Sequence, residues 1–164
     1  MYRVGIIGPE STGKSTLAWY LTQRYDGVLV PEYAREYMER LAPTYAYSYE
    51  DVEHIARQQV QQMQELFDAS SEGLVYPFRR DVVFFDTELI ITKVWFEHKY
   101  GKCPDFLQEA LVRYPMDVYL LCYPDMPWQP DPVRENPGIR EYLFEWYERE
   151  VQKLDIPYYI VKHI

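Results

Sequence analysis

An α/β fold with a five-stranded, mostly parallel sheet is predicted by three features of the chain. Strand-like apolar runs alternate with longer helical patterns, the mark of a parallel sheet joined by crossover helices. The run Gly8-Pro9-Glu10-Ser11-Thr12-Gly13-Lys14-Ser15 lies between the first such strand and the first such helix. It fits G-x-x-x-x-G-K-[ST], a phosphate-binding P-loop, in the strand–loop–helix setting its mechanism needs. A stretch at 124–138 carries five prolines and cannot hold a regular helix. Together these define a P-loop NTPase three-layer sandwich with a lid segment, in one domain over 1–164.

The elements follow in order. Residues 2–7 form the first strand, central because the P-loop follows it. A helix over 14–25 comes next, then a short strand at 28–31. After Glu32, a helix runs over roughly 33–41. Residues 49–70 repeat Val52, Ile55, Ala56, Val60, Met63, Leu66 and Phe67 at helical spacing, which predicts a buried stripe. The glutamines within 58–62 are then its solvated face. A loop at 73–80 leads to a strand at 81–85, followed by helices at 87–100 and 105–113. The fourth strand is 117–122 and the fifth is 157–162, with a helix at 138–154 between them. In such sheets the ligand lies outside the carboxyl ends of the strands. Residues 31–33, 86–88 and 123–125 should therefore face it.

The composition is globular, with 48% hydrophobic and 26% charged residues, and the formal net charge is −9. Such an acidic surface repels phosphate backbones, so nucleic acid is not expected as a partner. Two cysteines, Cys103 and Cys122, make neither a disulfide framework nor a zinc site. His54, His98 and His163 form no metal constellation. No targeting peptide or membrane-length apolar run is visible, so a cytoplasmic setting is expected.

The chemistry is concentrated at a few positions. Backbone N–H groups of residues 10–15 should cradle a phosphate at a helix N-terminus, where the dipole favours negative charge. The nucleotide-binding set is thus Gly8, Glu10, Ser11, Thr12, Gly13, Lys14, Ser15 and Thr16, together with Arg140. Lys14 should reach the β- and γ-phosphates of ATP, and Ser15 should ligate Mg²⁺. Asp86 ends an apolar strand and reads as the second Mg²⁺ ligand and a catalytic carboxylate. It also reads as a helix N-cap, and the two roles are compatible. Glu32 ends the second strand, across the cleft from the triphosphate. A carboxylate there can take a proton from an attacking hydroxyl or hold a ribose diol; otherwise it is an ordinary surface glutamate. Arg35 lies one turn on, where it can pair with Glu32 or meet a phosphate. Arg134 and Arg140, in and after the proline-rich stretch, suit stabilisation of a transferring phosphoryl group. The stretch would then be a lid that stands open until a triphosphate binds. Trp95 and Trp128 are candidate platforms for a flat ring, although Trp95 equally suits the core.

With these residues identified, the chain resembles the NadR-like ribosylnicotinamide kinase domains. The matching pieces are the P-loop at 8–16, Glu-Tyr-Ala-Arg-Glu-Tyr at 32–37 and Ile-Ala-Arg-Gln-Gln at 55–59. Further matches are Asp-Thr-Glu-Leu-Ile-Ile-Thr at 86–92, Pro-Trp-Gln-Pro-Asp-Pro-Val-Arg at 127–134 and Ile-Pro-Tyr at 156–158. The resemblance implies ATP-dependent phosphorylation of the 5′-hydroxyl of nicotinamide riboside, giving nicotinamide mononucleotide. It implies phosphate and Mg²⁺ roles for Lys14 and Ser15, a reacting-centre role for Asp86 and a lid role for Arg134. Glu32, Tyr33, Arg35, Asp86 and Trp95 are the expected acceptor-side residues. The chain departs from the family at Pro31, where a stacking tryptophan can stand, and at Pro132 in the lid. Two other readings are a kinase of another nucleoside or nucleotide, and a nucleotide-binding switch or accessory ATPase.

Overall fold

Strand β1 (Tyr2–Ile7) lies at the centre of a five-stranded sheet in the order β2-β3-β1-β4-β5. Its neighbours are β3 (Val82–Asp86) and β4 (Val118–Cys122); β2 (Val28–Val30) and β5 (Tyr158–Val161) form the edges. Every pairing is parallel, which meets and exceeds the expected mostly parallel sheet. The computed structural model describes residues 1–71, 81–131, 134 and 137–162. The expected loop at 73–80 and His163 lie outside the described residues, as does part of the lid segment.

Side chains on the strands alternate between two cores, as the pleat requires. Val4, Ile6, Phe84, Val118 and Cys122 point to one face, where α1 (Lys14–Arg24) contributes Ala18. Ile7, Val83, Phe85, Tyr119 and Leu121 point to the other. There they meet α3 (Tyr49–Ser71), α4 (Leu89–Tyr100), α5 (Asp105–Arg113) and α6 (Arg140–Leu154). The result is three layers: one helix, the sheet, and a thicker helical layer. Fully buried residues of this larger core include Phe96, Leu107 and Val151. Each aliphatic or aromatic side chain so buried stabilises the fold by roughly 1.5–3 kcal/mol.

Helix α3 buries Val52, Ile55, Ala56 and Met63, as its periodicity predicts, while Val60, Leu66 and Phe67 are partly buried at its edge. Gln59 corrects the expected solvated face. It is buried, and its Oε1 accepts a 2.6 Å hydrogen bond from Thr92 Oγ1 of α4. Two packed helices left room for one paired polar contact, and hydropathy alone cannot find such a pair. Helix α2 is shorter than expected (Tyr33–Glu39). The helix expected from 138 begins instead as a 3-10 turn at Pro137–Ile139 and becomes α6 at Arg140. No described helix is long and apolar enough to cross a membrane.

Candidate active site

The P-loop connects β1 to α1 with two glycines in conformations that side chains rarely adopt. Gly8 has φ +152, and a Cβ there would come within 2.7 Å of the Cys122 carbonyl oxygen on β4. Gly13 (φ 84) caps the start of α1. Ser11 is left-handed at φ 61 without being glycine. Within the loop, Thr12 Oγ1 and Lys14 Nζ each donate to the Pro9 carbonyl at 2.8 Å. The loop backbone is therefore held from inside, with its N–H groups at the mouth of a helix.

Two carboxylates converge on this loop. Asp86, at the end of β3, accepts a 2.7 Å hydrogen bond from Ser15 Oγ through Oδ2. Its Oδ1 is buried with no hydrogen-bond partner. A hydroxyl beside an orphaned carboxylate oxygen is a hard-oxygen pair that suits Mg²⁺, which needs only one or two protein ligands when phosphate supplies the rest. The described residues hold no cluster of three or more His, Cys, Asp or Glu side chains able to bind a metal by themselves. Glu32 follows β2 and is one-quarter exposed at the cleft. Burial raises its pKa, and the facing Lys14 ammonium opposes that rise. Burial likewise lowers the Lys14 pKa, and Glu32 is the largest of the opposing charges. The two side chains thus stabilise each other's charged forms across the cleft.

The cleft itself has a volume of about 260 Å³ and runs from the P-loop toward α4. Gly8, Glu10, Ser11, Thr12, Gly13, Lys14, Ser15 and Thr16 line it, as do Glu32, Arg35 and Arg134. Trp95 of α4 also lines it, together with Tyr47, whose hydroxyl accepts a 3.1 Å bond from Trp95 Nε1. Tyr47, Met38, His98 and Tyr147 were not anticipated as cleft residues. Ile91, Trp95 and His98 lie at i, i+4 and i+7 of one helix, a spacing that marks a single face. That spacing was the available signal for His98; Tyr47 lies in a connecting segment with none.

Several expected placements need correction. Tyr33 turns away from the cleft, packs 6.4 Å from the Tyr37 ring and borders a small separate cavity with Gln59 and Glu88. It opens α2, so it and Tyr37 share one face while Ala34, Arg35 and Met38 take the face toward the cleft. Glu88 is buried behind the site, and it, not Asp86, caps α4, accepting from Ile90 N at 3.0 Å. Tyr123 packs on Phe144, with ring centroids 5.0 Å apart, and does not line the cleft. Arg140 is absent from the lining. Its Nη1 donates to the Ser11 carbonyl at 3.1 Å, and its guanidinium lies 5.8 Å from the Trp128 ring centroid.

The described part of the lid segment does not stand open. Its Gln129 N donates to Ser11 Oγ at 2.9 Å, and that hydroxyl donates to the Pro127 carbonyl at 3.3 Å. Arg134 Nη1 donates to the Gln129 carbonyl at 2.6 Å and still borders the cleft. Arg35 Nη1 reaches Asp131 Oδ2 at 2.9 Å. The segment is thus a strap laid on the P-loop, because the Ser11 hydroxyl offers both a donor and an acceptor to its backbone. Pro132 and Val133 lie outside the described residues.

A parallel sheet with the P-loop after its central strand, a carboxylate at the end of the neighbouring strand and a cleft lined by the loop defines a nucleotide-binding domain of the P-loop type. The chain belongs to the AAA domain family, whose model matches residues 3–163. It is 28% identical over 133 residues to the trifunctional NAD biosynthesis/regulator protein NadR of Salmonella typhimurium, covering 80% of this chain and 30% of that protein. The chain therefore spans under a third of the length of that curated relative. A crystal structure of NadR protein in complex with NR superposes with a TM-score of 0.70 at 22% identity, covering 97% of this chain and 43% of that one. A deoxyadenosine kinase from M. mycoides with bound dATP gives a TM-score of 0.55 at 13% identity, over 98% of this chain and 90% of that one. At these identities the structural likeness establishes the fold.

Proposed function

We propose that this chain is an ATP- and Mg²⁺-dependent small-molecule kinase acting on the 5′-hydroxyl of a nucleoside, with nicotinamide riboside as the acceptor and nicotinamide mononucleotide as the product. One observation carries the reading. Lys14 and Glu32, close enough for each charge to act on the other, line one cleft together with Trp95 and Tyr47, which are hydrogen-bonded to each other. A triphosphate at one end and a flat base at the other would bring a ribose hydroxyl between them. The identity of the acceptor is supported by the relative described as an NAD biosynthesis protein and by the NadR complex with NR.

In this reading the P-loop N–H groups and Lys14 bind the β- and γ-phosphates. Ser15 and Asp86 would hold Mg²⁺, which when bound supplies charge neutralisation between phosphate oxygens. Glu32 accepts the proton of the attacking hydroxyl, and its burial-raised basicity suits that task. Arg134, at the cleft edge, stabilises the transferring group, and the strap excludes water that would otherwise intercept it. Arg140 holds the P-loop through Ser11 rather than touching nucleotide. Trp95 and Tyr47 form the wall for the base. Such a reaction belongs with the cytoplasmic triphosphate pool. The test is an acceptor screen scored by ADP release. Nicotinamide riboside should accelerate release well above the rate with ATP alone. A nucleoside panel that works without it would keep the kinase and remove this substrate. ADP release that no nucleoside accelerates would leave a nucleotide-binding switch or accessory ATPase.

A further inference from the structure

Arg35 is shared by three carboxylates from two sides of the cleft. Its Nη1 lies 2.9 Å from Asp131 of the strap and 3.6 Å from Glu39, while its Nε lies 3.7 Å from Glu32. The short, hydrogen-bonded contact goes to the strap, and the contact with Glu32 is longer than a hydrogen bond. Arg35, Asp131 and Glu32 are all partly buried, with side-chain exposures of 29%, 27% and 25%. The pair is therefore less screened than a surface ion pair.

A guanidinium has a fixed fork of donors and satisfies one carboxylate best. Its choice of Asp131 has a consequence at Glu32. If Arg35 closed on Glu32, it would occupy the carboxylate lone pairs that an acceptor hydroxyl needs, and it would make that carboxylate a weaker base. We propose that Asp131 is a positioning residue for phosphoryl transfer: it draws Arg35 toward the strap, and so keeps Glu32 free for the acceptor while tying the strap to the acceptor-side helix α2. The charged groups that face Glu32 are Lys14, Asp86, Arg35 and Glu10. Of these, Arg35 is the one that Asp131 holds directly. The inference rests on the kinase reading above.

The experiment uses the whole chain with ATP, Mg²⁺ and nicotinamide riboside. Asp131→Asn should lower acceptor-dependent kcat about three- to ten-fold, the range of a partly screened charge pair. Acceptor-independent ATP hydrolysis should not fall, and the KM for ATP should stay within about two-fold of the parent. The acid limb of the kcat profile should move to lower pH, because the released Arg35 closes on Glu32. Asp131→Glu should recover most of the rate. In an Arg35→Gln background, Asp131→Asn should have no further effect. Thermal melts of each variant establish that the fold is retained. The inference is overturned if Asp131→Asn matches the parent, lowers both turnovers equally, or acts just as strongly without Arg35. A parent chain with no acceptor-dependent turnover overturns the kinase reading as well, which separates the two failures.

Discussion

Ser15 Oγ on the first turn of α1 donates to Asp86 Oδ2 at the end of β3, at 2.7 Å, and leaves Asp86 Oδ1 buried without a partner. The two residues are far apart in sequence, and it is the parallel pairing of β1 with β3 that brings them together. Asp86→Asn keeps the shape and removes the charge. It should cost about 100–1,000-fold in ADP formation, the scale for losing one preorganised charge contact. The dependence of the residual rate on Mg²⁺ concentration should weaken in parallel. A titration of rate against Mg²⁺ for parent and variant checks both effects.

Lys14 and Glu32 are set against each other, so their substitutions should separate two binding events. Glu32→Gln should lower acceptor-dependent kcat by roughly 100-fold, within the range of general-base contributions. ATP affinity should change little, because the P-loop is untouched. Lys14→Ala should weaken nucleotide binding and abolish turnover with or without acceptor. Calorimetric titration with a non-hydrolysable triphosphate, alongside initial rates, distinguishes them. Lost nucleotide affinity in Glu32→Gln with an unchanged acceptor KM would move Glu32 out of the acceptor role.

Glu88 gives a prediction about stability. Its carboxyl is fully enclosed, and burial pushes its pKa from 4.5 up to about 7. A carboxyl whose folded pKa is raised binds its proton more tightly in the native state than in the unfolded chain. Its contribution is therefore full below about pH 4.5 and is lost as pH rises toward about 7. The loss is about 3 kcal/mol at most. Glu88→Gln should remove this term. Urea unfolding at about pH 5 and about pH 8 should show the parent losing more stability than the variant as pH rises. An identical pH dependence in both would mean that Glu88 is not held protonated.

Much of this fold is legible from the sequence for plain reasons. Every strand was located to within a residue, because buried parallel strands read as short apolar runs. The P-loop, Asp86 and Glu32 are legible as candidates because each lies where such a run ends, at the carboxyl end of the sheet. What escaped was set by rotation and by pairing. Tyr33 follows Glu32 directly, yet a helical turn aims it elsewhere. Gln59 looked solvated until its partner Thr92 came from another helix. The strap's contact with Ser11 depends on a left-handed, non-glycine residue, and no sequence pattern announces that conformation. Thr87 has the same character: a β-branched residue at φ 70 beside Asp86, with its hydroxyl buried and unpartnered. Strain of that kind costs about 1–3 kcal/mol and gathers at functional sites.

Arg134 borders the cleft while its guanidinium donates to the strap's own backbone at Gln129. To serve the reaction it must exchange that contact for the phosphoryl group. Arg134→Ala should therefore lower kcat and kcat/KM together, the mark of an interaction made in the transition state. A rise in KM alone would assign it to ground-state binding instead.

In the proposed function the cleft joins a triphosphate to a ribose hydroxyl. The most direct measurement is phosphorus NMR of a reaction containing the chain, ATP, Mg²⁺ and nicotinamide riboside. A new 5′-monophosphate ester resonance should grow in step with ADP, and neither should appear with Lys14→Ala. Growth of ADP and inorganic phosphate alone, at the same rate with and without the nucleoside, would contradict it.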